Sequence, residues 1–329
     1  MIFVEKAIYF DDISNELKKI VLKNKPIDLE ILFWNELSDV QKDQETIDTD
    51  YFILTAFQVD DKLLRKAKSL KFIQKVGIGV DNIDLNTAER LSIPVSNTPG
   101  GNSISVAELT ILFILTLYRR LVEIDQRTKA GNWDSWKFRS SSFELNGKIH
   151  GLIGMGNIGL EAAKRSSSFG TKIVYYDTRR LSKEKEREVN AEYMSLDKVL
   201  QTSDIVSLHV PLIPQTRNII NKEKMKQMKR NAILINVARG GIVNEADLYE
   251  CLSNQTISGA AIDAWETEPI PKDNKLLLLD NVVATPHIGG GTADTFNRVI
   301  NMGFENIKRV RKGKAAHHIV NNFQVKDHN

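Results

Sequence analysis

At 329 residues the chain is longer than one ordinary hydrophobic core supports, so length favours two domains. Its 45 basic residues against 42 acidic ones, a net charge of +3 and 42% hydrophobic content exclude both the basic excess of a nucleic-acid binder and a disordered composition. The single cysteine, Cys251, excludes an intramolecular disulfide, reads as a small core or helix residue and fits a reducing, cytoplasmic location.

The N-terminal stretch MIFVEKAIYFDD carries acids where a secretory signal needs a basic start, so no targeting segment is expected. The first hundred residues then alternate apolar runs (AIYF, DLEILFW, YFILTAF, KFIQKVGIGV, IPVSN) with charged amphipathic segments such as DDKLLRKAKSL, the rhythm of a small α/β unit. A turn-rich stretch from Asn97 to Ser103 leads into LTILFILTLY, Leu109 to Tyr118. That run is about half of the ~20 residues a membrane span needs, so it predicts a buried helix and no membrane partner. Ser105 and Glu108, three apart, suggest a capping box at its start.

From Lys148 six apolar runs predict buried strands: KIHGLIG, KIVYYD, DIVSLHV, AILINVA, GAAIDAW and NVVATPH. Alternation with helical segments implies a doubly wound parallel sheet covered on both faces, of the kind that binds dinucleotides. After Thr292, the residues Phe296, Val299, Ile300, Phe304, Ile307 and Val310 fall near helical spacing and predict a helix that returns to the first domain. The expected division is 1–101 with 291–329 around an inserted domain, 102–290.

The first strand of the inserted domain runs into GLIGMGNIG, with the spacing G-x-G-x-x-G at Gly154, Gly156 and Gly159. Gly154 suits the tight turn, Gly156 lets backbone approach a pyrophosphate at the helix N-terminus formed by Asn157 and Ile158, and Gly159 allows helix to pack on strand. Asp177, 18 residues after Gly159 at the end of KIVYYD, stands where an acid accepts the ribose hydroxyls. Its charge would repel a 2′-phosphate and favours NAD as cofactor, although Arg179 and Arg180 follow closely.

A nicotinamide enzyme needs a proton donor, a group that tunes it and a cation for the substrate. His287 in ATPHIGG, Glu268 in DAWETEPIP and Arg239 in NVARGG offer one of each at predicted strand ends. Imidazole changes charge near neutral pH, a carboxylate beside it stabilises the imidazolium, and a guanidinium fork matches a carboxylate.

NVARGGIVNEADL, GAAIDAWETEP and TPHIGGGT resemble the signature segments of the NAD-dependent D-2-hydroxyacid dehydrogenases, and the resemblance extends to VGIGVDNID, NTPGGNSISVAEL and HVPL. It implies a Rossmann-type doubly wound parallel sheet inserted into a smaller flavodoxin-like α/β substrate domain. It also implies that Arg239, Glu268 and His287 are catalytic, with Arg239 and His287 binding substrate. Asp263 would hold the nicotinamide carboxamide, while Val106, Ala238 and the turn His209, Val210 and Pro211 would line the cofactor. The backbone of Val76, Gly77 and Gly79 would face the substrate carboxylate. The D stereochemistry and a homodimer formed through the cofactor domain rest on the same resemblance.

NTPGGNSISVAELT is especially similar to the matching segment of D-3-phosphoglycerate dehydrogenases, and Lys75 stands where those carry a phosphate-binding basic residue; Lys137 is a second candidate cation. The resemblance therefore ranks D-3-phosphoglycerate first as substrate, then hydroxypyruvate or glyoxylate reduction, then another D-2-hydroxy acid. An NAD-sensing, corepressor-like binding protein is the reading from another class. Of the remaining histidines, His209 is expected to act through backbone and shape. His150 occupies a place where the family has an aliphatic residue, and His317, His318 and His328 are expected to face solvent. No HExxH, CxxC or P-loop spacing occurs, so no metal is expected.

Overall fold

The computed structural model describes residues 4–322. These form two compact units, one running to Asn102 and resuming at Thr292, the other Ser103–Gly291.

The first unit is built on β1 (Glu5–Tyr9), β2 (Leu29–Phe33), β3 (Tyr51–Leu54), β4 (Phe72–Lys75) and β5 (Val95–Ser96), all parallel, in the order β2-β1-β3-β4-β5. This is the flavodoxin-like order. Because side chains alternate across a strand, the apolar runs feed two cores. Ala7, Tyr9, Tyr51, Ile53 and Phe72 pack on one face, and Ile8, Phe52, Leu54 and Ile73 on the other.

The helix Ala293–Arg311 covers the first of these faces, burying Val299, Ile300, Phe304 and Ile307, with Phe296 and Val310 half-buried at its border. Thr292 caps it by accepting the Thr295 N–H at 3.1 Å. Lys308, Arg309 and Arg311 in its last turn complement the helix dipole.

The second unit contains seven parallel strands rather than the expected six. They are β6 (Ile149–Ile153), β7 (Lys172–Tyr176), β8 (Ala191–Tyr193), β9 (Ile205–Leu208), β10 (Ile233–Asn236), β11 (Gly259–Ile262) and β12 (Val282–Ala284). The extra strand is β8, which has three partly exposed residues at the sheet edge and therefore no apolar run to betray it. The order β12-β11-β10-β9-β6-β7-β8 contains the dinucleotide-binding arrangement with one strand added, and its direction reverses between β6 and β9.

The apolar helix expected from LTILFILTLY runs over Ser103–Tyr118 and packs Phe113, Ile114 and Tyr118 on Ile205, Ile233 and Ile235. Among the described residues no helix is long and apolar enough to cross a membrane. The expected capping box is absent. The helix begins two residues before Ser105, whose buried hydroxyl donates to the Gly289 carbonyl, and Glu108 pairs instead with Arg165 at 3.3 Å. Cys251 is buried in the helix Glu245–Ser253, and that burial pushes its thiol pKa up.

Candidate functional site

All strands of the second unit run parallel, so the loops after them emerge at one edge, the C-terminal edge where open α/β sheets hold ligands. The glycine loop follows β6. Gly154 has φ +97°, and a Cβ there would lie 2.6 Å from the His209 carbonyl oxygen, so both conformation and space demand glycine. A Cβ on Gly159 would lie 2.3 Å from the Gly154 carbonyl oxygen, which lets the helix Asn157–Ser168 start hard against the loop.

Gly156 differs, because a Cβ there would meet no protein atom within 4 Å. It caps the twelve-residue helix without a side-chain hydrogen bond, next to exposed Asn157 and half-buried Ile158. Open space above uncapped helix N–H groups suits a pyrophosphate, so the residues present fit a dinucleotide. Asp177, after β7, accepts the Met155 N–H at 2.7 Å and the Arg179 N–H at 2.9 Å. The carboxylate thereby holds the loop and keeps lone pairs for a ribose.

The turn His209, Val210 and Pro211 follows β9, and Val210 would touch a Cβ on Gly154. Ala238 and buried Val106 lie in the apolar packing of the same unit, Val106 against Gly289. His209 does more than present backbone: its Nε2 lies 2.8 Å from Ser207 Oγ. His150 is fully buried between two hydroxyl partners, Ser166 and Ser207.

The loops after β11 and β12 bring Glu268 and His287 together. Both carboxylate oxygens approach His287 Nδ1, at 2.9 and 2.8 Å, and both side chains are about 40% exposed (39% and 40%). The Trp265 N–H donates to Glu268 Oε1 at 2.9 Å, and the buried Trp265 indole donates to the Thr285 carbonyl at 2.9 Å. These two bonds tie the glutamate loop to the histidine loop.

His287 sits at φ +55°, a left-handed conformation that β-carbon residues seldom adopt unless held there. Buried Asp263 supplies the hold, accepting the Thr285 hydroxyl at 2.6 Å, the Ile288 N–H at 2.8 Å and the Gly289 N–H at 2.8 Å. The contacts of Asp263 are thus with the histidine loop. Neither Trp265 nor Thr285 was singled out from sequence, and the signal for Trp265 was its place between Asp263 and Glu268.

Arg239 follows β10 and is half-buried, with Nη1 donating to the Ala238 carbonyl at 2.7 Å. Asn236 braces this turn, donating to the Arg239 carbonyl at 3.0 Å. Gly240 must be glycine because a Cβ would overlap the Trp265 carbonyl, at 1.8 Å.

In the first unit Lys75 is only 7% exposed, and its ammonium donates to the Thr55 carbonyl and, at 2.8 Å, to Asn82 Oδ1. The Val76 N–H donates to the Leu54 carbonyl at 2.7 Å, so this amide belongs to the sheet and corrects the expectation that it faces a carboxylate. Gly77 and Gly79 are half-buried in the following turn. Lys137 is exposed, over the Phe138 ring. His317 and His318 are exposed, and His328 lies outside the described residues. Among the described residues no group of His, Cys, Asp or Glu is arranged to hold a metal.

Residues 111–289 match the family described as D-isomer specific 2-hydroxyacid dehydrogenase, NAD binding domain. The chain is 41% identical over 87% of its length to a D-3-phosphoglycerate dehydrogenase of Methanocaldococcus jannaschii, and the match spans about half (53%) of that relative. It is 42% identical over 79% of its length to a hydroxypyruvate reductase of Thermotoga maritima, covering 83% of that protein. Among solved structures, the TT0316 protein of Thermus thermophilus superposes with a TM-score of 0.84 at 31% identity, over 96% of this chain and 99% of that one.

Proposed function

The chain belongs to the D-isomer specific 2-hydroxyacid dehydrogenases, and from that premise we propose that it interconverts a 2-oxo acid and a D-2-hydroxy acid with NAD(H). The observation that carries this reading is the two-oxygen grip of Glu268 on His287 Nδ1 at the C-terminal edge of the dinucleotide-type sheet. Bound NADH supplies the hydride. With Nδ1 held, Nε2 is the nitrogen that exchanges a proton with substrate. In reduction the imidazolium gives its Nε2 proton to the carbonyl oxygen as that oxygen gains charge, and in oxidation the neutral ring takes the hydroxyl proton back. Glu268 balances the imidazolium charge, and Arg239 offers its guanidinium to the substrate carboxylate.

The division into a cofactor domain, Ser103–Gly291, and a substrate domain made of the other unit is part of the same proposal. Exposed Leu112, Leu121, Trp133 and Trp136 on the former support a homodimer through it, which light scattering would test.

The substrate we assign is a short unphosphorylated 2-oxo acid of the hydroxypyruvate or glyoxylate type. Lys75, the cation that phosphate recognition would use, is buried and already serves Thr55 and Asn82. A second reading, D-3-phosphoglycerate oxidation, is supported by NTPGGNSISVAELT and by the relative of that name. NADH oxidation measured with hydroxypyruvate, glyoxylate and 3-phosphohydroxypyruvate separates them. A kcat/KM highest for the phosphorylated acid, and selectively reduced by Lys75→Met, would establish the second reading. Tight NADH binding with no turnover of any 2-oxo acid would point to a sensor instead.

A further inference from the structure

Polar side chains are few in the second unit's parallel sheet, yet two adjacent strands carry a line of them. His150 lies on β6 opposite Ile205 of β9, and Ser207 and His209 follow Ile205 at intervals of two, so all of them point to one face. That face meets the helix Asn157–Ser168, which contributes Ser166. The contacts form one unbranched path. Thr171 Oγ1 meets Ser166 Oγ at 2.8 Å, Ser166 Oγ meets His150 Nδ1 at 2.9 Å, His150 Nε2 meets Ser207 Oγ at 2.8 Å, and Ser207 Oγ meets His209 Nε2 at 2.8 Å. At the far end His209 Nδ1 is closed from solvent and has no hydrogen-bond partner.

The path holds five hydrogens for four contacts, so one donor is left over, and a surplus at His209, beside the glycine loop, is the one a bound ligand can meet. Each hydroxyl has one hydrogen, and a neutral imidazole has one N–H and one acceptor nitrogen. Burial holds both rings neutral, with pKa values pushed down to about 3. With the surplus at the His209 end, the buried Thr171 hydroxyl donates to its partner Ser166 Oγ. Ser166 then donates to His150 Nδ1, which puts the His150 hydrogen on Nε2. That hydrogen goes to Ser207 Oγ, and the Ser207 hydrogen goes to His209 Nε2. The remaining position for the His209 hydrogen is Nδ1.

We propose that the buried chain Thr171, Ser166, His150, Ser207 locks His209 as its Nδ1–H tautomer, and that this N–H is a preset donor for an acceptor oxygen of the bound dinucleotide. The proposal rests on the cofactor reading above. His209 is well placed for it, since the residue directly follows β9 at the strand-order reversal and its carbonyl abuts Gly154 of the glycine loop. His150 is then a positioning residue: an aliphatic side chain there would cut the path, and nothing would choose the His209 tautomer. A buried N–H with no protein acceptor is costly to maintain unless a ligand satisfies it.

The test is histidine-selective ¹⁵N NMR of the intact protein, with and without NADH, joined to NADH affinity by fluorescence titration. The free protein should show His209 protonated at Nδ1, with that N–H signal shifting when NADH binds. Thr171→Val, at the opposite end of the path, should scramble the His209 tautomer and weaken NADH binding by about fivefold. Ser207→Ala should do the same more strongly, while Ser207→Thr, which keeps the hydroxyl, should restore both. A proton on Nε2 of His209 in the free protein, or a tautomer and affinity unmoved by both Thr171→Val and Ser207→Ala, would overturn the proposal. If the wild-type protein binds no NADH, the cofactor reading fails and the donor role with it, while the tautomer of the free protein still decides whether the chain locks the ring.

Discussion

Glu268 holds His287 through one nitrogen with both carboxylate oxygens, at 2.9 and 2.8 Å, while the Trp265 N–H fixes one of those oxygens at 2.9 Å. The ring therefore has a set orientation and one nitrogen left for proton exchange. His287→Ala should lower kcat for 2-oxo acid reduction by about 10²-fold or more, and Glu268→Gln by about 10-fold or more, with NADH affinity nearly unchanged in both. Steady-state kinetics beside NADH titration checks this, and an unchanged kcat in the His287 variant would remove the proton role.

The three loop glycines should separate folding from binding. Gly154→Ala places a β-carbon at φ +97° and 2.6 Å from a backbone oxygen, so it should destabilise the protein by roughly 1–3 kcal/mol. Gly156→Ala meets no protein atom within 4 Å, so its melting temperature should stay at the wild-type value. Its NADH affinity should nonetheless drop about tenfold or more, because the space it fills is the space the dinucleotide needs. Calorimetry and titration on the two variants read these effects independently.

Asp177 binds two backbone N–H groups and brings a negative charge to the end of β7. Asp177→Asn keeps an acceptor for the Met155 N–H but removes the charge that repels a 2′-phosphate. The ratio of kcat/KM for NADPH over NADH should rise by about tenfold, and exposed Arg179 offers a cation for the phosphate. An unchanged ratio would show that discrimination lies elsewhere.

Acid should weaken the fold through His150. Its pKa falls from an ordinary value near 6.5 to about 3 in the folded protein because burial disfavours the cation. Between those values the unfolded chain binds the extra proton, so stability rises with pH across the window and is lost as pH falls. Lowering the pH from 7 to 5 should cost about 2 kcal/mol through this residue. Urea unfolding at the two pH values should show a smaller loss in His150→Gln, after comparison with the variant's own stability at pH 7.

Much of this protein is determined by local patterns that a chain carries by itself. Period-two and continuous apolar runs specify the strands of both sheets, because a strand buried on both faces must be apolar at every position, as Tyr51–Leu54 and Ile233–Asn236 nearly are. Edge strand β8 escaped because its three partly exposed residues need no such run. The glycine spacing and the acid after β7 are equally local, since a turn needing φ +97° and a helix start needing room each impose a residue type at a fixed offset.

The tertiary structure decided which polar groups meet. Glu268 and His287 are separated by 19 residues and joined by the neighbouring loops after β11 and β12. Asp263 proved to brace the histidine loop, Lys75 to serve Thr55 and Asn82, and Ser105 to reach Gly289 instead of capping its helix. His150 stands in an apolar strand where the family has an aliphatic residue, and only the register of β6 on β9 and the packing of the helix supply its partners Ser207 and Ser166. Burial can be read from composition along a strand, but a hydrogen-bond partner depends on register and packing between strands, and those exist only once the sheet has formed.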